Sequence, residues 1–254
     1  MQRAAACAHA YPTDARGFVM ASPSDLANLG EEGFADSGGV KIHYVTKGTG
    51  RLAVLIHGIP GFWYDRRHQM PALAEHFQLV AIDQRGFNLG DQPNGVENHT
   101  LDKLAGDVDA VVQHFGQPKV TLIGHDSGGW ISWHYAMTHA DRTERLGLVN
   151  LPHPRCIERD LANNPRQCKA SEYARQLRHL APGGRNLVLG GVAHEITPEL
   201  YASGFKGEHP KYLEALRRTW IEGIINFYKA SYPRPPYHEQ SYPPVKCPVL
   251  MIHG

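Results

Sequence analysis

Hydrophobic and polar positions follow two different periods along the first part of the chain. Residues 40–46 alternate between polar and apolar side chains, as in a half-buried strand, and short apolar runs after them indicate strands buried on both faces. Between these runs, apolar residues recur at helical spacing. The predicted strands are 40–46, 52–56, 78–82, 120–123 and 146–151, and the predicted helices are 64–76, 101–115 and 130–139. This alternation predicts an α/β fold with a mostly parallel sheet flanked by helices.

The pattern changes between residues 152 and 244. Strand signals disappear there, and helical segments such as 170–180 and 212–228 alternate with loops that contain proline and glycine. Residues 249–253 then resume an apolar strand pattern. We therefore divide the chain into a loose N-terminal extension (1–32), an α/β core (33–151), a helical cap inserted before the late strands (152–244) and the start of the next core strand (245–254).

Composition and charge narrow the kinds of partner that the protein could have. The 254 residues are 42% hydrophobic, and 26 Lys and Arg against 25 Asp and Glu give a net charge of +1. This balance predicts no binding to nucleic acid or to an anionic membrane, and no apolar run approaches the roughly 18 residues of a membrane helix. Four scattered cysteines indicate neither a metal site nor a disulfide scaffold. We expect a cytoplasmic protein that acts on a small neutral organic molecule.

The segment GHDSGG at residues 124–129 has the spacing of a nucleophile elbow. Glycines two residues before and two after the central position permit a strained turn from a strand into a helix. The central residue is Asp126, which could also simply cap the helix that follows. The segment HGIP at 57–60 favours catalysis, because it ends an earlier strand where folds with such an elbow supply an oxyanion-hole amide. We therefore predict that Asp126 is a nucleophile.

An aspartate at the elbow restricts the substrate. A carboxylate that attacks an ester gives a labile anhydride, whereas attack on saturated carbon gives a stable alkyl ester. The substrate should therefore carry an electrophilic sp³ carbon.

Three segments together resemble a known family. The segments are HGIPGFWYDRRHQMPAL at 57–73, DQRG at 83–86 and GHD at 124–126, and they are similar to the epoxide hydrolases of the α/β-hydrolase fold and to their dehalogenase cousins. The resemblance implies an α/β-hydrolase fold that needs no cofactor. In the implied reaction Asp126 opens an epoxide, a base-activated water hydrolyses the ester, and a vicinal diol leaves. The backbone amides of Ile59 and Ser127 would hold the oxyanion of the second step.

Opening an epoxide leaves an alkoxide, so a hydrogen-bond donor is needed over the ring oxygen. The segment NFYK at 226–229 resembles the cap motif of the family and nominates Tyr228, although its helical spacing with Ile221 and Ile225 is also typical of packing. Tyr173 lies in the region of the second donor, but its surroundings match the family poorly. We predict both tyrosines as donors.

Three residues near the first amide-donating loop are predicted to border the substrate pocket. His57 would brace the loop, since no spacing of His and Asp completes a metal site. Phe62 and Trp63 either line the pocket or pack against the first helix.

An acid and a histidine are expected to follow the nucleophile along the chain in this fold. Neither is visible here, and Asn150, at one alternative acid position, is an amide. The resemblance puts the acid a few residues beyond Gly254 and the histidine further on. We therefore expect the 254-residue chain to be alkylated at Asp126 without turning over.

Two other functions fit the same residues. A haloalkane or haloacid dehalogenase would use the same aspartate and stabilise a departing halide. Ser127 departs from the Trp that haloalkane dehalogenases and many epoxide hydrolases have after the nucleophile, and from the Arg of fluoroacetate dehalogenases. A non-catalytic, ligand-binding homologue would keep the pocket without turnover.

Overall fold

The computed structural model describes residues 28–181, 184, 186–189, 192–195, 197–202, 209–219 and 221–254. The strands in these ranges are β1 (Glu31–Ser37), β2 (Val40–Lys47), β3 (Leu52–Ile56), β4 (Gln78–Ile82), β5 (Val120–His125), β6 (Thr143–Val149), β7 (Asn186–Leu189), β8 (Val192–Glu195) and β9 (Val249–Ile252). The helices are α1 (Met70–Ala74), α2 (Leu101–His114), α3 (Ser127–Thr138), α4 (Pro154–Asn163), α5 (Pro165–Ala170), α6 (Glu172–His179), α7 (Pro198–Ala202), α8 (His209–Arg218) and α9 (Ile221–Ser231), with 3-10 helices at Trp63–Arg66 and Val96–His99.

Seven strands form one sheet in the order β1-β2-β4-β3-β5-β6-β9. Neighbouring strands from β4 to β9 are parallel, and β2 and β1 extend the sheet antiparallel at one edge. Strand β3 and residues 79–82 of β4 are continuous apolar runs, as expected where helices cover both faces of a parallel sheet. The predicted fold, a mostly parallel sheet flanked by helices, is confirmed.

Successive residues of β3 point to opposite faces of the sheet and so divide the core into two layers. Leu52, Val54 and Ile56 belong to the layer that includes the apolar faces of α2 and α3. Ala53 and Leu55 belong to the layer that includes residues of α1 and α8. Each fully buried aliphatic side chain contributes about 1.5–3 kcal/mol. A one-residue slip of β3 would exchange the two sets, so burial on both faces fixes its register.

The insertion between β6 and β9 is not wholly helical, which corrects one prediction. Helices α4 to α9 lie in it, but β7 and β8 form a separate two-stranded antiparallel sheet. Each of these strands has only four residues, NLVL and VAHE, which is too short for a period-two pattern to stand out. The insertion is therefore a helical layer with a small hairpin.

Two segments predicted as single helices are each divided in the structure. The segment 64–76 becomes the 3-10 helix Trp63–Arg66 followed by α1, which carries Pro71 in its first turn. Proline lacks an N–H and its ring clashes with a preceding turn, so it starts a helix more readily than it continues one. The segment 212–228 becomes α8 and α9.

The N-terminal boundary also differs from the prediction. The loose extension was assigned to residues 1–32, of which 1–27 lie outside the described residues, but β1 already begins at Glu31. Leu29 is buried, and the Lys47 ammonium donates to the Asn28 carbonyl. The strand is polar (EEGFADS) because it lies at the edge of the sheet with one side exposed to solvent. A run of polar residues such as EEGFADS is also typical of a loop, which is why the sequence pattern did not predict β1.

Candidate active site

Asp126 stands at a sharp turn between β5 and α3. Its backbone has φ 53° and ψ −120°, a conformation that residues other than glycine rarely adopt. A Cβ added at Gly124 would lie 2.3 Å from the Gly128 carbonyl oxygen, and one added at Gly128 would lie 2.4 Å from the Ile56 oxygen. Only glycine fits at these two positions. The GHDSGG segment therefore forms the predicted elbow and presents Asp126 at the carboxyl end of the sheet.

The Asp126 carboxylate is oriented by the loop after β3. The Ile59 N–H donates to Asp126 Oδ1 at 3.0 Å. Asp126 occupies the position before α3, yet its side chain makes no capping hydrogen bond to that helix. The structure therefore does not support the alternative in which Asp126 only caps α3. The positive end of the α3 dipole adds a favourable potential for the carboxylate.

His57 is fully buried beneath this loop and braces it. Its Nδ1 lies 2.8 Å from the Gly58 oxygen, and its Nε2 accepts the Gln84 N–H at 3.1 Å. This pairing requires the neutral ring protonated on Nδ1. Burial lowers the pKa of His57, in agreement with a neutral ring. Both nitrogens are thus engaged by the protein, and the prediction that His57 borders the substrate pocket is corrected.

The DQRG segment at 83–86 supports the same loop. Asp83 is fully buried and its Oδ1 accepts the Trp63 N–H at 2.8 Å, while the Gln84 side-chain amide donates to the His57 oxygen at 2.6 Å. Arg85 forms a buried ion pair with Asp107. Asp83 and Gln84 therefore hold the loop after β3 through hydrogen bonds, whereas Arg85 ties the segment to α2.

A cavity of about 450 Å³ opens beside Asp126, between the sheet and the insertion. Tyr228 of α9 and Tyr173 of α6 both line it, with their ring centroids 6.1 Å apart in an edge-to-face contact. Tyr228 is 6% exposed and Tyr173 is 38% exposed. The structure thus brings the two tyrosines predicted as donors to the same cavity as the predicted nucleophile.

Ser127 is the first residue of α3 and also lines this cavity. It is 1% exposed, and its hydroxyl has no hydrogen-bond partner among the described residues. A buried hydroxyl without a partner is uncommon in folded proteins.

Phe62 and Trp63 lie elsewhere. They line a second cavity of about 380 Å³, together with Tyr64 and with Lys211 and Arg218 of α8. Among the cavities formed by described residues, the predicted pocket residues Phe62 and Trp63 therefore do not share the one that contains Asp126. Phe62 stacks on Tyr64 with 5.9 Å between ring centroids, which favours the alternative that these aromatic residues pack the first helical segment.

Several residues of the Asp126 cavity were not predicted. Trp130 lies one helical turn after Asp126, and Cys156 and Ile157 come from α4. His253 directly follows β9, at the carboxyl end of a parallel strand where ligands gather in such sheets. The spacing of four residues between Asp126 and Trp130 could have predicted that Trp130 lies near the nucleophile, because residues four apart lie on the same side of a helix.

Two negative findings hold for the described residues. No cluster of three or more His, Cys, Asp or Glu side chains there has an arrangement suited to a metal ion. Within the same ranges, every helix is too short or too polar to cross a bilayer.

Comparison with known proteins gives three matches of interest. A family profile for the alpha/beta hydrolase fold matches residues 53–196. The chain is 36% identical to the AB hydrolase superfamily protein YfhM of Bacillus subtilis over 143 residues, which are 55% of this chain and 50% of that protein. It is also 36% identical to epoxide hydrolase 1 of Caenorhabditis elegans over 136 residues, 53% of this chain and 34% of the relative. The chain thus spans half or less of the length of these relatives.

Among solved structures, the chain is similar to an epoxide hydrolase of Bacillus megaterium determined in complex with an inhibitor. The TM-score is 0.74 at 27% sequence identity, and the match covers 87% of this chain and 82% of that structure.

Proposed function

We propose that this chain, which belongs to the α/β-hydrolase fold family, opens an epoxide by forming a covalent ester on Asp126, the first half of the reaction that yields a vicinal diol. One observation carries the proposal. The Asp126 carboxylate lies at a strained elbow, bound through Oδ1 to the Ile59 N–H, in a cavity that two tyrosines from the insertion also line. A nucleophile and hydrogen-bond donors that line one cavity are what epoxide opening requires.

In the first step, Asp126 attacks one carbon of the epoxide ring. Because Oδ1 is engaged by the Ile59 N–H, the attacking oxygen is Oδ2. A new bond forms between Oδ2 and the carbon, and the bond between that carbon and the ring oxygen breaks. The electron pair goes to the ring oxygen, which Tyr228 and Tyr173 stabilise by hydrogen bonding and proton donation.

In the second step, for which no base is assigned among the described residues, a water molecule that has lost a proton to a base attacks the Cγ carbon of the ester. The carbonyl oxygen, which is the former Oδ1, gains the negative charge of the tetrahedral intermediate. The Ile59 N–H already bonds this atom, and the Ser127 N–H at the start of α3 is the second donor of the proposed oxyanion hole. Collapse of the intermediate breaks the bond between Cγ and Oδ2. Oδ2 takes a proton and leaves as a hydroxyl of the diol, and the oxygen from water replaces it in the Asp126 carboxylate.

The cavity supports a small, neutral organic substrate. A volume of about 450 Å³ is within the ordinary range for sites that bind small molecules. Trp130, Leu151, Ile157 and Phe227 give the cavity an apolar wall on which an aryl or alkyl substituent could pack. The net charge of +1 favours no charged macromolecule as a partner.

The comparisons favour epoxides over alkyl halides. The relative from C. elegans and the structure from B. megaterium are both named epoxide hydrolases. The two chemistries share the ester on aspartate and differ in the leaving group, so the donors over the leaving group decide between them. Phenolic O–H groups suit a developing alkoxide, which must gain a proton.

The test compares the protein with its Asp126→Asn variant on styrene oxide, on 1-chlorobutane and on fluoroacetate. The asparagine keeps the shape of the side chain and an acceptor for the Ile59 N–H, but it is not a nucleophile. We expect epoxide consumption, as diol or as protein-bound ester, in the unmodified protein alone. Halide release without any reaction of the epoxide would contradict the proposal and support a dehalogenase. Binding of styrene oxide with no reaction would support a non-catalytic homologue.

A further inference from the structure

Helix α9 of the insertion carries Tyr228 and approaches the core through a contact between two glycines. We propose that Gly223 is a positioning residue whose backbone contact with Gly86 sets the distance between α9 and the core. This distance fixes where the Tyr228 hydroxyl lies relative to Asp126. The inference rests on the proposed function, because it concerns how a proposed donor is held, and it gives a role to the glycine that ends the DQRG segment.

The contact between the two glycines leaves too little room for a side chain on either of them. A Cβ added at Gly223 would lie 3.1 Å from the Gly86 Cα atom and 3.2 Å from the Gly86 oxygen. In the other direction, a Cβ added at Gly86 would lie 3.3 Å from the Gly223 Cα atom. These distances are shorter than ordinary van der Waals contacts, so a methyl group at Gly223 must separate the two backbones by a few tenths of an ångström.

The core side of this contact is held in place by several bonds. The Gly86 N–H donates to the Asp91 oxygen at 2.9 Å. Arg85, the preceding residue, forms a buried ion pair with Asp107 of α2 and donates to the Asn98 oxygen at 3.1 Å. Breaking a buried ion pair is costly, so we expect α9, rather than the loop that carries Gly86, to move when the contact is widened.

A second contact fixes the other end of α9. The Ser231 hydroxyl donates to the oxygen of His99, a residue that is 1% exposed. Gly223 and Ser231 are eight residues apart, which is about two helical turns, so they lie on the same side of α9. Tyr228 lies between them in the sequence and lines the cavity beside Asp126. A displacement at Gly223 with Ser231 held would therefore tilt the part of α9 that carries Tyr228.

The position of this hydroxyl matters because hydrogen bonds weaken steeply as their geometry departs from the optimum. Tyr228 is 6% exposed, which leaves little room for water to replace a lost hydrogen bond. A misplacement of about 1 Å in an active site can cost on the order of 10²-fold in rate. A displacement of a few tenths of an ångström should therefore slow epoxide opening several-fold.

The test compares four proteins, which are the unmodified chain, Gly223→Ala, Tyr228→Phe and the double variant. The substitution is made at Gly223 because Gly86 has φ 85°, where any side chain would also strain the backbone. Rapid-quench mass spectrometry gives the rate of ester formation from styrene oxide. Gly223→Ala should slow this rate about three- to tenfold in the chain with Tyr228, and less than about twofold in Tyr228→Phe, which has no hydroxyl to misplace.

A merely structural role for Gly223 would slow ester formation by the same factor with and without the Tyr228 hydroxyl. That result would overturn the inference, as would an unchanged rate in Gly223→Ala. Gly106→Ala is the matched control, because Gly106 also lies in a helix and an added Cβ there meets no atom within 4 Å. It should leave the rate unchanged. Ser231→Ala, which removes the second contact, should also slow the reaction only while the Tyr228 hydroxyl is present.

Failure of the proposed function is distinguishable from failure of this inference. Crystal structures of the unmodified protein, Gly223→Ala and Gly106→Ala give the distance between the Tyr228 Oη and Asp126 Cγ atoms without any reaction. A change of a few tenths of an ångström in Gly223→Ala alone would sustain the positioning role even if styrene oxide did not react. The same distance in all three proteins would overturn it, whether or not the epoxide reacts.

Discussion

The Ile59 N–H and the Asp126 Oδ1 atom lie 3.0 Å apart although the two residues are separated by 67 positions in the chain. The loop after β3 and the elbow after β5 meet because these strands are parallel neighbours, so their carboxyl ends lie at one edge of the sheet. The two loops are in direct contact, since a Cβ added at Gly58 would lie 2.6 Å from the Asp126 Cβ. The carboxylate is therefore held in one orientation by the core.

The elbow predicts a sharp difference between two glycine substitutions. Gly128→Ala places a Cβ within 2.5 Å of the Ile56 and His57 carbonyl oxygens and should lower the free energy of unfolding by about 1–3 kcal/mol. Gly106→Ala is the matched control, because Gly106 lies in α2 with no atom within 4 Å of an added Cβ. It should raise stability by about 1 kcal/mol. Urea unfolding of both variants measures the difference, and equal effects would contradict the elbow geometry.

The two tyrosines should contribute unequally to epoxide opening. Tyr228→Phe removes a hydroxyl from a side chain that is 6% exposed and should slow ester formation about 10²-fold. Tyr173→Phe should have a smaller effect, because Tyr173 is 38% exposed and water can take the place of its hydroxyl. Tyr242→Phe is the control, since that hydroxyl bonds Glu158 at 2.8 Å. Rapid-quench mass spectrometry gives the rates, and an unchanged rate in Tyr228→Phe would refute its role as a donor.

The elbow and the fold could be read from the sequence because both depend on local rules. Glycines around Asp126 are required by close backbone approach, and the buried strands are continuous apolar runs. The placement of Tyr228 and Tyr173 on the cavity also followed from the resemblance. These features are encoded in neighbouring residues or in a motif.

Other features depend on tertiary contacts that a pattern does not carry. His57 was assigned to the pocket, but its ring is fully buried against residues 58 and 84. Phe62 and Trp63 follow the HGIP segment closely, yet the chain turns them toward α8 and a different cavity. The edge strand β1 and the hairpin of β7 and β8 are polar or short, so their pairing, rather than their composition, defines them.

The buried histidine makes stability depend on pH in a stated direction. Burial lowers the pKa of His57 below its ordinary value of 6.5, so the unfolded chain takes up a proton that the folded chain excludes. The contribution of neutral, buried His57 to the free energy of unfolding is fully present above pH 6.5. It is lost as the pH falls below 6.5, at up to about 1.4 kcal/mol per pH unit. The pKa values of His99 and His125 are also lowered by burial and act in the same direction.

Urea unfolding between about pH 7.5 and about pH 5.5 tests this account. The His57→Gln variant should be less stable at all pH values, and its stability should decline less steeply below pH 6.5. The same slope in both proteins would show that His57 titrates normally.

The Trp130 side chain should separate two neighbouring cavities, both of which it lines. It lines the cavity of about 450 Å³ beside Asp126 and a second one of about 190 Å³, and it packs edge-to-face on Tyr232. Trp130→Ala should join the two spaces, lower stability by about 3–5 kcal/mol, and favour a naphthyl epoxide over a phenyl epoxide. Trp133→Ala, on the same helix, should cost similar stability without changing this preference, because Trp133 packs on His153 outside the described lining of both cavities. If both variants preferred the naphthyl epoxide to the same extent, the prediction that Trp130 separates the two cavities would be wrong.

The central claim is that Asp126 forms an ester with the substrate, and mass spectrometry of an acid-quenched reaction tests it most directly. The unmodified protein, mixed with excess styrene oxide, should gain the mass of one epoxide, and peptide mapping should locate the gain on Asp126. Asp126→Asn should gain nothing at that peptide under the same conditions. Diol formation with no protein-bound intermediate at any quench time, or an equal rate of reaction in Asp126→Asn, would contradict the account.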